Sequence, residues 1–148
     1  MTGRVYLDSN VFIAAYETQG AHSDHAWWLL DAIEQGALSA FTSELTLSEL
    51  LVKPIERGET DLAQAYEDMI SGEGQFEVLA VTRDVLIRAA HLRASRRGLR
   101  LPDAIHLASA QIAGCAHFIT EDERLSMPEG ISRLGVTPFT LDDIRTGS

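Results

Sequence analysis

The sequence predicts an α/β domain built around a mostly parallel sheet of four or five strands with helices between them. Short β-like apolar runs alternate with longer helical ones, the pattern of strands joined by helical crossovers. The 148 residues, 45% hydrophobic and 23% charged, match one soluble domain of ordinary size. No internal repeat, low-complexity tract or linker divides the chain, so residues 1–148 are expected to form a single domain.

Arg4 to Leu7 is the first expected strand, and a helix from about Val11 to Tyr16 follows, with Asn10 as its cap. A second helix starts at Ser23 and ends near Gly36. Ser39 to Thr42 forms the second strand. Glu44 to Lys53 then reads as a helix stopped by Pro54. Thr60 is expected to cap a helix whose Leu62, Ala65, Tyr66, Met69 and Ile70 have amphipathic spacing, ended by Gly72 and Gly74. Phe76 to Val81 is the third strand, after which Thr82 caps a helix running to Arg97 and stopped by Gly98. Pro102 opens the next helix, with Ala104, Ile105, Ala108 and Ile112 on one face and Gly114 after it. His117 to Thr120 is the fourth strand. A fifth is expected around Val136 to Thr140, where Pro138 would confine it to an edge.

Bulk composition excludes several classes. No apolar run approaches the roughly 20 residues of a membrane helix, and the N-terminal residues lead into a strand without a signal-peptide pattern. Cys115 is the sole cysteine, so intrachain disulfides are excluded and a cytoplasmic location is expected. The net charge of −10 weighs against a nucleic-acid ligand at first sight. The cations are unevenly placed, however: Arg88, Arg93, Arg96, Arg97 and Arg100 fall in one stretch just before Asp103.

Four carboxylates stand where elements begin or end. Asp8 closes Val5-Tyr6-Leu7, Asp122 follows Phe118-Ile119-Thr120, Asp103 follows Pro102, and Glu49 lies about a turn into the helix after the second strand. In open parallel sheets ligands bind beyond the carboxyl ends of the strands. Asp8 and Asp122 project from that edge. Asp103 starts the helix leading into the fourth strand, so it lies at the same edge, and Glu49 is near it. Two unit charges about 4 Å apart repel by about 4 kcal/mol at an effective dielectric of about 20, a large share of the roughly 5–15 kcal/mol that holds a domain folded. Gathered at one rim, the four acids call for a divalent cation, and oxygen-only ligands suit Mg²⁺ or Mn²⁺.

Each acid also has an ordinary structural alternative. Asp8-Ser9-Asn10 fits a turn and helix cap, Thr46-Leu47-Ser48-Glu49 fits a capping box, Asp103 suits a helix's first turn, and Asp122 fits a loop. Capping supplies no reason for all four to share one rim.

Val5-Tyr6-Leu7-Asp8-Ser9-Asn10, Thr42 to Leu50, Leu101-Pro102-Asp103-Ala104-Ile105-His106-Leu107-Ala108 and Phe118-Ile119-Thr120-Glu121-Asp122, in this order and separation, resemble the PIN-domain ribonucleases. Among these they are similar to the VapC-type toxins of bacterial toxin–antitoxin pairs. The resemblance spans nearly the whole chain. It implies a PIN-like three-layer fold and hydrolysis of RNA phosphodiester bonds with Mg²⁺ or Mn²⁺. It carries over Asp8, Glu49, Asp103 and Asp122 as the acidic cluster, with Asn10 and Thr120 as supporting polar residues. Asp8, Asp103 and Asp122 are then the expected metal ligands, and Glu49 positions or deprotonates the attacking water. Glu121 departs from the pattern, since an uncharged polar residue often precedes this aspartate. The resemblance also implies a cognate antitoxin and a homodimer.

Arg93, Arg96, Arg97 and Arg100 follow near-helical spacing and are the expected RNA-binding strip, the alternative being a solvated basic face. His106 shares a helix face with Asp103, where packing or a contact to a ligand residue is expected rather than catalysis. His22 and His25 lack a metal-ligand pattern. Trp27 and Trp28, about 100° apart on a helix, cannot both face one core, so one is a candidate for a dimer or antitoxin contact. An aspartate-dependent phosphatase would want an aspartate where Asn10 stands. A receiver module would want paired acids and a late lysine. A non-catalytic RNA- or protein-binding module remains the main alternative.

Overall fold

The structure is a computed structural model, described over residues 3–136. Among the described residues there are five strands: β1 (Gly3–Leu7), β2 (Leu38–Ser43), β3 (Phe76–Leu79), β4 (His117–Ile119) and β5 (Ser132–Leu134). They form one sheet in the order β3-β2-β1-β4-β5, with every neighbouring pair parallel. Six helices connect them: α1 (Ser9–Glu17), α2 (Ala21–Glu34), α3 (Glu44–Arg57), α4 (Thr60–Met69), α5 (Arg83–Ser95) and α6 (Leu101–Ile112).

The alternation of side chains along each strand divides the apolar residues between two cores. Val5, Leu7, Leu38, Ala40 and Ile119 pack with α1, α2, α3 and α4 on one face. Tyr6, Phe41 and Phe118 pack with α5 and α6 on the other. The result is three layers, helices–sheet–helices. The central strand β1 is apolar and fully buried from Val5 to Leu7, where both its faces are covered. Chain connections leave β1 toward β2 and enter β4 from the other side, so the switch in strand order falls between β1 and β4.

Several boundaries differ from the sequence expectation, each for a local reason. α1 starts two residues early because Asp8, not Asn10, is its cap: the Asp8 carboxylate accepts the Ser9 N–H at 2.8 Å. α3 passes through Pro54 and ends at Gly58, which adopts φ 69°. The terminal bonds Glu59 N–H to Pro54 O and Gly58 N–H to Ile55 O form a Schellman motif, so the carbonyl of the proline closes the helix that its missing N–H failed to stop. Ser43 caps α3, which places Thr46 inside the helix and removes the capping-box reading of Glu49. Glu59, not Thr60, precedes α4. Thr82 does cap α5, its hydroxyl accepting from Val85 N–H at 3.2 Å. α6 is buried continuously from Ala104 to Ala110 and not along one stripe, whereas Ile112 is half exposed. An edge strand that the sequence reading did not include lies at Ser132–Leu134; the strand expected around Val136 to Thr140 falls, apart from Val136, outside the described residues.

Cys115 is buried, and burial pushes its thiol up to about 12, in keeping with a packing role. Among the described residues no helix is long and apolar enough to cross a membrane.

Candidate active site

The carboxyl ends of β1 and β4 are joined by side chains. Asp8 follows β1, and its backbone N–H donates to Ile119 O of β4 at 3.1 Å. The Thr120 hydroxyl, fully buried after β4, donates to Asp8 Oδ2 at 2.7 Å. Asn10 Nδ2 donates to the same oxygen at 3.3 Å, while Ser9 N–H holds Oδ1. Asn10 and Thr120 thus both hydrogen-bond the Asp8 carboxylate. A second buried pair fixes the neighbouring strand end: Thr42 donates to Leu7 O at 2.9 Å and lies 2.8 Å from the Thr46 hydroxyl.

Burial raises the Asp8 carboxyl above its ordinary value. The charge of His106 and the bonds from Thr120 and Ser9 pull it down, and the charge of Glu49 adds to the rise. Glu49 projects from α3 toward α6, where its Oε1 lies 2.6 Å from His106 Nε2. His106 is almost wholly enclosed, and Glu49 is about one-third exposed (32%). The other ring nitrogen of His106, Nδ1, lies 2.6 Å from the Tyr6 hydroxyl. Tyr6 is fully buried, stacked on Phe118, and burial together with the Asp8 charge pushes its phenol well above the usual range. One oxygen or nitrogen each of Asp8, Glu49 and His106 lie within 4.8 Å of one another.

The remaining two acids stand beside this group and are not members of it. Asp103 and Asp122 line one cavity of about 360 Å³ together with Arg96, Arg97, Arg100 and Arg124. Asp122 is linked back to Asp8 by a single hydroxyl, because Thr120 Oγ1 also accepts the Asp122 N–H at 3.1 Å. Arg124 lies 3.6 Å from Asp122, and Arg100 lies 3.4 Å from Asp103. Glu121 turns elsewhere: its Oε1 accepts Val136 N–H at 2.6 Å, and its Oε2 is 3.9 Å from His22.

The arginine strip divides by role. Arg96 donates to the carbonyls of Ser126 and Met127, clamping the loop after β4. Arg93 donates to Leu99 O at 3.0 Å. Arg97 and Arg100 line the acid-bearing cavity with exposed side chains, joined by Arg124 from the loop, which the sequence reading did not include. Trp27 and Trp28 are both exposed, at 38% and 44%, although Trp27 is tilted against Tyr16 and bonded to Ala15 O.

The donor set fits a hard divalent cation. Asp8 and Glu49 offer carboxylate oxygens, and the burial that lifts the Asp8 carboxyl is a cost to its ionised form that a bound cation would offset. His106 is a poorer ligand here, because its Nε2 is already engaged by Glu49 Oε1 and its Nδ1 by the Tyr6 hydroxyl. Tyr6, Ser43 and the placement of His106 against Glu49 were absent from the sequence reading. Only the proximity of His106 to Asp103 in the chain hinted at the last.

The PIN domain model matches residues 5–129. Comparison with curated proteins finds no match. Among solved structures, the chain is similar to a toxin–antitoxin complex from Klebsiella pneumoniae, at 22% identity and a TM-score of 0.65, covering 86% of this chain and 95% of that one. It is similar to VapBC2 from Rickettsia felis bound to a promoter DNA fragment, at 15% identity and a TM-score of 0.69, covering 89% and 98%. It is also similar to Mycobacterium tuberculosis VapC20, a toxin cleaving the sarcin–ricin loop, at 20% identity and a TM-score of 0.63, covering 77% and 86%.

Proposed function

Because the chain belongs to the PIN domain family, we propose that it is a metal-dependent endoribonuclease and the toxin of a toxin–antitoxin pair. The observation that carries the reading is the meeting of Asp8 and Glu49 at the carboxyl edge of the sheet, with Asp8 held by donors from Ser9, Asn10 and Thr120 and lifted by burial. Bound at this edge, Mg²⁺ or Mn²⁺ supplies a water of lowered pKa and screens charge on the phosphodiester. Asp8 is the principal ligand, aided by Asp122 and by Asp103, the latter directly or through water. Glu49 orients the attacking water and takes its proton. Thr120 keeps Asp8 and the loop carrying Asp122 in register through its one hydroxyl.

Arg97, Arg100 and Arg124, exposed around Asp103 and Asp122, grip RNA phosphates beside the scissile bond and offset the chain's negative charge locally. Arg93 and Arg96 contribute by shaping this wall, since their guanidinium groups are bonded to backbone carbonyls. A cognate antitoxin silences the site, the active species is a homodimer, and the protein acts in the cytoplasm. The solved toxin–antitoxin complexes of the same fold support the antitoxin reading.

Incubating the protein with total cellular RNA in Mg²⁺, Mn²⁺ or chelator, and mapping the cut sites, tests the proposal. Cleavage that requires metal and vanishes in Asp8→Asn is expected. Cleavage indifferent to chelation would refute it, and none under any condition would leave the non-catalytic binding module.

A further inference from the structure

We infer that Tyr6 and His106 act as a positioning couple for Glu49: the buried phenol fixes the imidazole as an Nε2–H donor, and the imidazole ties back one Glu49 oxygen so that the other faces the cation and its water. The inference rests on the nuclease reading above but makes its own demands on the structure.

Three residues from three elements, β1, α6 and α3, form an unbroken hydrogen-bonded line of 2.6 Å and 2.6 Å. The inner two are enclosed, with Tyr6 fully buried and His106 2% exposed. The direction of the line is assigned from its inner end. The Leu45 N–H donates to Ser43 Oγ at 3.1 Å, and the Ser43 hydroxyl bonds to the phenol oxygen. With Ser43 donating to the phenol, Tyr6 donates onward to Nδ1 and leaves Nε2 to donate to Glu49 Oε1. A core histidine satisfied for packing alone would serve equally well in the opposite tautomer or with a backbone partner. Here its outward nitrogen is committed to an acid whose own neighbour, within 4.8 Å, is Asp8. Glu49 Oε2 has no hydrogen bond among the described residues and is the oxygen left for the ion and its water. Groups that orient ligand residues in this way typically change metal affinity or activity about 10–100-fold when removed.

Tyr6→Phe, His106→Leu and His106→Gln separate the possibilities. The Tyr6→Phe ring keeps its stacking on Phe118, and thermal melts confirm that each variant is folded. The imidazole signals, read by nitrogen-15 NMR and assigned by their loss in His106→Leu, should show Nε2 protonated and Nδ1 bare in the wild type. Mn²⁺ titration without RNA should give an affinity about 10-fold weaker in Tyr6→Phe and weaker still in His106→Leu. His106→Gln, which keeps an N–H donor toward Glu49, should recover most of it. RNA cleavage should fall in kcat in the same order with KM for RNA unchanged. An Nδ1-protonated wild-type ring, or wild-type Mn²⁺ affinity in both Tyr6→Phe and His106→Leu, would overturn the couple. A wild type that binds no Mn²⁺ and cuts no RNA would instead sink the nuclease reading, and the ring tautomer would still be read independently.

Discussion

Replacing Asp8 with asparagine tests the electrostatics of the site without needing a substrate. Asparagine is as good a helix cap as aspartate, so α1 keeps its Ser9 bond. What is lost is one unit of charge within 4.8 Å of Glu49, together with the oxygen that accepts from Thr120 and Asn10. At that separation a pair of unit charges interacts by about 3.5 kcal/mol at an effective dielectric of about 20, an upper bound because Glu49 is partly solvated. A cation held at Asp8 beside Glu49 offsets this repulsion, and its binding adds to folding stability as RT ln(1 + [L]/Kd). With Mn²⁺ at a hundred times its dissociation constant the gain is about 2.7 kcal/mol, which for a domain of this size raises Tm by about 5–11 °C. A variant with affinity lowered a hundredfold would, at the same Mn²⁺ concentration, gain only about 0.4 kcal/mol, or about 1–2 °C. The comparison is of the Mn²⁺-induced shift within each protein, so differences between the two in chelator cancel. Thermal melts with chelator and with Mn²⁺ decide it. Equal shifts in wild type and Asp8→Asn would show that the ion, if bound, is not held by this carboxylate.

Three further outcomes are expected. In chelator the folded Asp8 carboxyl holds its proton more tightly than the unfolded one. Stability should therefore fall as pH rises from about 4 through the folded value, and Asp8→Asn should lack this component, so that its Tm advantage grows with pH; parallel Tm–pH curves would exclude it. Thr120→Val removes the donor to Asp8 Oδ2 and orphans the Asp122 N–H, lowering stability by about 1–3 kcal/mol, or about 2–12 °C in Tm; a melt within 1 °C or so of wild type would contradict the bridging role. Arg97→Glu combined with Arg100→Glu should flatten the logarithmic salt dependence of RNA binding by about 1.4, or about 0.7 per phosphate contact. Arg96→Ala should leave that slope and instead lower stability by about 1.5 kcal/mol, through its two carbonyl bonds. The reverse pattern would return Arg96 to the RNA-binding strip.

Periodicity and turn chemistry located the elements because they are local properties. Val5-Tyr6-Leu7 and the Thr82 cap are written in adjacent residues, and they fold as read. Pro54 misled because a proline ends a helix only if nothing downstream rewards continuing, and Gly58 four residues on completes a Schellman motif. The Thr46-x-x-Glu49 pattern misled because Ser43 offers a cap one turn earlier. Asp8, Glu49, Asp103 and Asp122 were legible as candidates, since Asp8, Asp103 and Asp122 sit at element boundaries and Glu49 lies about a turn into its helix. Their pairing into Asp8 with Glu49 and Asp103 with Asp122 was not, because it depends on which helices flank which strand end. Tyr6 and His106 are 100 residues apart, and each taken alone is an ordinary core residue. Arg96 could be told from Arg97 only when the loop at Ser126 and Met127 came into reach.

Glu49 rides on a helix from one layer and His106 on a helix from the opposite layer, and their contact arches over the end of the sheet. The rim therefore works as an alignment gauge for the molecule. Small sliding of either helical layer, which a sheet sandwiched between helices ordinarily absorbs, is here converted into a swing of an acid. Enlarging or hollowing the packing at Leu50 or Leu107, each one residue along from this contact and each enclosed, would detune chemistry from beneath without altering a single polar group.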